Sequence, residues 1–281
     1  LAGVERIEKA RRQSRLMADM TLKDRIIRLI ETDGPIPVST YMQLALHDTA
    51  QGYYATRPGL GTDFITAPEV SQIFGELLGL WAVHEWKALG EPGTFQLVEI
   101  GPGRGTLMAD ALRLAYVAGG RKFADAAQLR LVEPSPELRK VQTERLKDYE
   151  HAFSDTLSEV PAGPMVLLAN EYLDCLPARQ FRKDGGTWRE CVIGLDDDGN
   201  LAFGLAADEA RAPERSADTA QCVEVQTGFD LLIADLVTRA DPFRALFLDY
   251  GPADATPGDS LRAFKLGEQV SPLAFPGDAD L

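Results

Sequence analysis

A mainly parallel α/β sheet with helices on both faces is the architecture that this 281-residue sequence predicts, and three observations carry that prediction. Apolar runs of strand length alternate with helix-compatible segments from about residue 95 to residue 170, the pattern of a parallel sheet. A turn with three glycines, Gly101, Gly103 and Gly105, joins the first of these runs to its helix. Beyond Ala178 the period switches to polar/apolar alternation, which reads as antiparallel hairpins inserted into the sheet order. Residues 1–92 then read as an N-terminal helical cap and substrate-side segment. Residues 93–281 read as the cofactor-binding core, with the inserted hairpins at about 178–225.

Residues 1–20 are rich in Arg and Met and lack a clean apolar stripe, as in a surface helix or a partly ordered lead-in. Thr21 and Asp24 form a capping-box signature, and Leu22, Ile26, Leu29 and Ile30 share the inner face of the helix that follows, which Asp33-Gly34-Pro35 ends. Val38 to Asp48 predicts a second helix with Ser39 or Thr40 as N-cap, closed at Gly52-Tyr53-Tyr54. A turn-like Gly59-Leu60-Gly61 precedes DFITAPEVSQIFGELLGLW (63–81). Thr66 or Ala67 leads there into a helix at Pro68, with Val70, Phe74, Leu77, Leu78 and Trp81 inward. Glu69 and Glu76 stand seven apart, on one face of that helix. Two solvated acids favoured by a helix dipole are the ordinary reading of such a pair. Asp63, Phe64 and Thr66 sit in the loop before it, where binding residues concentrate.

FQLVEIGPGRGTLMAD (95–110) is a strand, a tight turn and a helix start, the helix reaching Tyr116 with Leu107, Ala111 and Leu114 inward. Such a turn brings bare N–H groups and the positive end of a helix dipole to the carboxyl edge of the sheet, where a polar cofactor can approach without meeting a Cβ. The glycines run G-x-G-x-G, with Glu99 two residues before the first, unlike the dinucleotide fingerprint G-x-G-x-x-G. No pyrophosphate needs cradling in S-adenosyl-L-methionine, and its ammonium and sulfonium suit a carboxylate at the strand end. A plain strand-to-helix turn is the competing reading. LRLVEPSPEL (129–138) predicts a second strand ending in Glu133, with Ser135 as N-cap and Pro136 at the first helical position; Glu133 is placed to accept both ribose hydroxyls. Asp155, after a third strand at His151-Ala152-Phe153, is either near the adenine amine or a loop acid. Strand Met165 to Ala169 stops at Asn170-Glu171, with Asp174 three residues on, and polar groups there border the crevice of an open α/β sheet. Helix capping is the alternative for that cluster.

Asp184-Gly185-Gly186 and Asp198-Gly199-Asn200 are the hairpin turns. CVEVQ (222–226) reads as a strand, Phe229 to Arg239 as a helix, and ALFLDYG (245–251) as a further core strand. The tail beyond Gly258 has little regular pattern. The net charge of −14 argues against nucleic acid and favours basic partners, including arginine-bearing protein segments. No apolar run reaches the roughly 18 residues of a membrane helix, and no secretory signal is visible. Cys175, Cys191 and Cys222 lack metal spacing and fit a reducing compartment, and His47, His84 and His151 are far apart in sequence, which gives metal catalysis little support.

DFITAPEVSQIFGELLGLW, LVEIGPGRGTLMADALR, NEYLDCLPARQF, VEV and LDYG, in that order, resemble the MidA-like S-adenosylmethionine-dependent methyltransferases, a family that includes the mitochondrial protein-arginine methyltransferase assisting complex I assembly. PIPVSTYMQLALHDTAQGYY is similar to the family's N-terminal block, so the resemblance spans about residues 21–281. It implies a seven-stranded Rossmann-like class I methyltransferase core with a helical cap and inserted strands, continuing past the position of Leu281. Thr62 and Pro252 depart from the family's usual Gly and His. By position, Glu99, Gly101, Gly103 and Gly105 are the implied cofactor turn and Glu133 the ribose ligand, while Asp63 to Glu69 with Asn170, Glu171 and Asp174 line the cleft. The implied reaction is methylation of an arginine on a protein partner such as a complex I subunit, in the cytoplasm of a bacterium or the mitochondrial matrix of a eukaryote. Guanidinium is always protonated and presents five donors, so carboxylates must grip it; Glu171, Asp174, Glu69 and Glu76 are the candidates in that order. A cofactor-binding assembly chaperone without turnover, a small-molecule methyltransferase and a nicotinamide dehydrogenase are the rivals.

Overall fold

Thr21 starts the cap as its sequence predicts. Its Oγ1 accepts the Asp24 N–H at 3.2 Å and Asp24 accepts the Thr21 N–H at 3.2 Å, closing a capping box on helix α1 (Leu22–Asp33). The computed structural model describes residues 20–56, 66–211, 220–239, 241–251 and 258–281. The N-terminal lead-in, the turn at Gly59-Leu60-Gly61, Thr62, Asp63, Phe64 and Pro252 lie outside the described residues.

Helix α2 (Val38–His47) begins directly after Pro37 with no side-chain cap, which corrects the expected Ser39 or Thr40 cap. The reason is the two-residue strand β1 (Ile36–Pro37), whose sheet pairing keeps the chain extended up to Pro37 and leaves both hydroxyl residues inside the first helical turn. Tyr53–Thr56 is a short helix of its own, α3.

The single helix expected after Thr66 is two: α4 (Ala67–Val70) and α5 (Gln72–Ala88), broken at Ser71, which is extended at φ −149° and ψ 119°. Glu69 and Glu76 therefore do not share a helical face. The inner face of α5 is Gly75, Leu78, Gly79, Ala82, Val83 and Trp86, while Val70 and Leu77 are 72% and 58% exposed. The glycines decide this: a Cβ on Gly79 would lie 2.1 Å from the Ala111 carbonyl oxygen, so the α5 backbone rests on the next helix along its Gly75/Gly79 face.

The chain then builds β2 (Phe95–Ile100), α6 (Thr106–Ala126, broken at Gly120), β3 (Ala127–Val132), α7 (Pro136–Arg145), β4 (His151–Ser154) and β5 (Met165–Asn170). The hairpin strands β6 (Ala178–Asp184), β7 (Thr187–Leu195) and β8 (Leu201–Leu205) follow, then β9 (Cys222–Gln226), α8 (Thr227–Arg239) and β10 (Phe243–Leu248). Five strands form one parallel sheet in the order β10-β5-β2-β3-β4 among the described residues, against the seven that the resemblance implies. All six residues of β2 are buried, because α5 and α6 cover one face and α8 the other.

A second, antiparallel sheet runs β1-β7-β6-β9 with β8 on β7. Ile26, Tyr41 and Leu46 of the cap share one core with Cys191, Ile193 and Leu201 of this sheet. Packing thus cuts across the chain-order division at residue 92: α5 sits with the parallel sheet, and α1 to α3 sit with the inserted hairpins. The tail is more regular than expected. Strands β11 (Ala263–Lys265) and β12 (Glu268–Val270) pair, and Phe264 bridges Asp280, an arrangement three-residue strands are too short to signal in sequence.

Candidate active site

Glu99, the penultimate residue of β2, lies beneath the glycine turn and is 3% exposed. Burial pushes its carboxyl up to about 8, against the opposing effect of the Met108 N–H. Its Oε2 is buried with no hydrogen-bond partner among the described residues. An unpartnered acceptor of this kind fits a cationic group of a ligand. Above it Gly101 takes φ +63°, and a Cβ there would lie 3.1 Å from the Tyr172 ring, so both backbone and space call for glycine.

Glu99, Gly101, Gly103, Thr66, Glu69, Asn170, Glu171 and Asp174 all line one cleft at the carboxyl ends of β2 and β5, the part of an α/β sheet where ligands sit. Glu69 reaches it because α4 is pinned to the start of α6 by the Thr106 hydroxyl, which donates to Glu69 Oε1 at 2.5 Å. Glu171 carries φ +50°, a strained value for a non-glycine residue, and its N–H donates to the Leu248 carbonyl at 2.8 Å. Asn170 Nδ2 donates to Glu171 Oε1 at 3.3 Å. Burial raises the Glu171 carboxyl; the Asn170 and Ala67 donors oppose that rise. Asp174 is likewise raised by burial, with the Tyr250 hydroxyl donating to its Oδ2 at 2.7 Å. Asp249 holds the loop, accepting the Leu173 and Asp174 N–H groups at 2.7 and 3.2 Å.

The other expected residues stand outside the cleft lining. Glu133 lies behind the turn, 5% exposed, with Oε1 accepting the Ser135 N–H at 2.8 Å and Oε2 accepting from Gln142 Nε2 at 3.3 Å. The same Gln142 amide donates to the Gly103 carbonyl at 2.7 Å, so Glu133 and the glycine turn are joined through one side chain. Gly105 backs onto Gln142 as well. Asp155 pairs with Arg139 at 2.5 Å, and Glu76 accepts from Gln72 on α5 at 2.5 Å.

Tyr53, Tyr54, Arg104, Tyr250 and Asp280 also line the cleft, with Pro68, Pro102, Thr106 and Leu107, and were not singled out as site residues in the sequence. Tyr250 had a signal, its place at the end of a core strand after Asp249. Asp280 had none, because it enters the cleft through the fold of the tail. Among the described lining residues Arg104 is the single basic side chain, facing five acids.

A parallel sheet with a carboxylate under a glycine turn and a polar crevice beside it defines a Rossmann-like α/β protein of the cofactor-binding kind. The chain belongs to the family of S-adenosyl-L-methionine-dependent methyltransferases, whose model matches residues 77–281. It is 37% identical over 291 aligned positions to protein arginine methyltransferase NDUFAF7, mitochondrial, of Danio rerio, covering 92% of this chain and 68% of that protein. The Homo sapiens protein of the same name is 38% identical, over 90% of this chain and 64% of its own length. The chain thus spans about two thirds of these relatives. Among solved structures, a Burkholderia thailandensis protein bound to S-adenosyl-homocysteine superposes with a TM-score of 0.76 at 27% identity, covering 92% of this chain and 71% of that one. The resemblance read from the five motifs and the cofactor expected from Glu99 and the G-x-G-x-G turn agree with these findings.

Proposed function

We propose that this chain transfers a methyl group from S-adenosylmethionine to an arginine side chain of a protein partner. The observation that carries this reading is the two-ended chemistry of one cleft: an unpartnered buried carboxylate oxygen on Glu99 at one end and the Glu171/Asp174 pair at the other. The names of the relatives support it.

When bound, S-adenosylmethionine supplies a methyl group activated by its sulfonium. Glu99 would face its cationic end, and the N–H groups of the turn, with Arg104, would face its carboxylate. Glu133 and Asp155 remain proposed for the ribose and adenine; each is held by the protein's own groups, so that use requires Gln142 and Arg139 to give way. The acceptor needs positioning above all, since an in-line displacement depends on holding the nucleophile in register. Glu171 and Asp174 would grip the guanidinium and localise its charge away from the attacking nitrogen, with Asn170 and Glu69 flanking them. The proton shed by that nitrogen can pass to Glu171, whose burial raises its affinity for protons. A complex I subunit is the proposed partner, in the mitochondrial matrix for a eukaryotic source and in the cytoplasm for a bacterial one.

The test is Glu171→Gln, assayed by intact mass of an arginine-bearing partner and by calorimetric titration of the cofactor. Transfer should fall by on the order of 100-fold or more while cofactor affinity holds. A variant that keeps full transfer overturns the assignment, and wild-type protein that binds the cofactor without labelling any partner points to the assembly-chaperone reading.

A further inference from the structure

The tail segment 271–281 closes onto the cap through several tight contacts. The Tyr41 hydroxyl donates to the Pro272 carbonyl at 2.5 Å, and Leu273 and Ala279 are buried. Gly277, at φ +79°, passes so near the chain before α3 that a Cβ would lie 2.2 Å from the Gln51 carbonyl oxygen. Backbone bonds of 2.8 and 2.9 Å pair Phe264 with Asp280. Together these contacts fix Asp280 at the wall of the cleft, where the Tyr54 hydroxyl donates to its Oδ1 at 2.9 Å. The same lining repeats the device, with the Tyr250 hydroxyl donating to Asp174 Oδ2 at 2.7 Å. Two carboxylates from segments about a hundred residues apart in sequence thus line one cleft, each oriented by a tyrosine, and Tyr53 adds a further ring. The same cleft holds the unpartnered Glu99 oxygen, which marks it as a place built for a ligand rather than a chance gathering of acids.

We infer that Asp280, oriented by Tyr54, is the second jaw of a guanidinium clamp whose first jaw is Asp174 with Tyr250. This rests on the arginine reading of the cleft and assigns its specificity to the cap and tail. A planar fork with five donors can engage carboxylates on two sides at once, whereas a compact ammonium engages one well. Tyrosine hydroxyls fix each carboxylate before the substrate arrives, so little ordering remains to be done on binding. The device selects for positive charge and planarity together.

The experiment uses the full chain with saturating S-adenosylmethionine, N-acetyl-arginine methylamide as acceptor, and its lysine and citrulline counterparts as inhibitors. Asp280→Asn keeps an acceptor for the Tyr54 hydroxyl and removes the charge. It should raise KM for the arginine probe by on the order of 10- to 100-fold, with kcat and cofactor affinity close to wild type. The preference for arginine over citrulline should shrink by a similar factor, a change that a purely structural role for Asp280 would not produce. Tyr54→Phe leaves the charge and removes one donor to Asp280 Oδ1, the Leu281 N–H at 3.1 Å remaining, and should narrow the same preference by about 5-fold; it carries the test if the Asn variant loses its melting transition. A folded Asp280→Asn or Tyr54→Phe protein with an unchanged preference overturns the clamp. Wild-type protein that labels no arginine probe and no arginine-bearing protein overturns the arginine reading, and the clamp with it, which is a different result.

Discussion

The two ends of the cleft are built in opposite ways. The cofactor end comes from sixteen consecutive residues, 95–110: a fully buried strand, a glycine turn and a helix start, with Glu99 sealed beneath. The acceptor end is collected from α3, α4, the end of β5, the end of β10 and the tail, and its acids are only partly buried. One end is preformed by local backbone geometry, the other by long-range packing. Local geometry tolerates almost no substitution at its glycines, whereas an assembled wall can lose one contact and keep the others.

The largest effect on cofactor binding should follow from Gly101→Val, which attacks the preformed end. The left-handed backbone costs about 1–2 kcal/mol for a residue with a Cβ, and overpacking against Tyr172 about 1–3 kcal/mol more. Cofactor affinity should fall by on the order of 100-fold, measured by titration calorimetry; an unchanged affinity would show that the turn is not a cradle.

Glu99→Gln probes the same end through charge. Its carboxyl is raised from 4.5 to about 8 in the folded chain, so the stabilisation tied to its protonated form is complete below the unfolded value and is lost as pH rises through about 8. The melting temperature of the cofactor-free protein should therefore decline across that window, and the decline should be weaker in the Gln variant. A cation arriving at Oε2 favours the ionised form, so cofactor binding near pH 7 should release up to about one proton in wild type and almost none in the variant. Calorimetry in two buffers of different ionisation enthalpy reads this directly. Equal proton release from both proteins would separate Glu99 from the cofactor. Affinity should drop by about 10- to 100-fold.

The smallest effect should come from a single hydroxyl of the assembled end. Tyr250→Phe removes one hydroxyl from Asp174 and leaves the Asp249 contacts in place. A rise of about 5-fold in the acceptor KM is expected, with cofactor affinity unmoved. A loss of cofactor affinity in Tyr250→Phe would mean that the two ends are coupled and not independently built.

Local signals and long-range assembly also explain what could be read in advance. The strand-turn-helix, the capping box at Thr21, the hairpin turns and the cluster at Asn170, Glu171 and Asp174 were legible because each depends on neighbours in sequence. The break at Ser71 was not: a continuous apolar pattern hides the point where Gly75 and Gly79 let α5 settle on α6. Nor was the occupation of Glu133 by Gln142, which depends on α7 lying behind the glycine turn.

The amino-acid sequence by itself determined the parallel core, the cofactor turn and the acids at the strand ends, since apolar period, glycine spacing and strand-terminal charge act over a few residues. Only the tertiary structure decided which acids share a cleft. Asp280 and Tyr54 meet because the tail packs on the cap and the cap packs on the inserted sheet, and burial of that shared core, not any local preference, sets the distance between them.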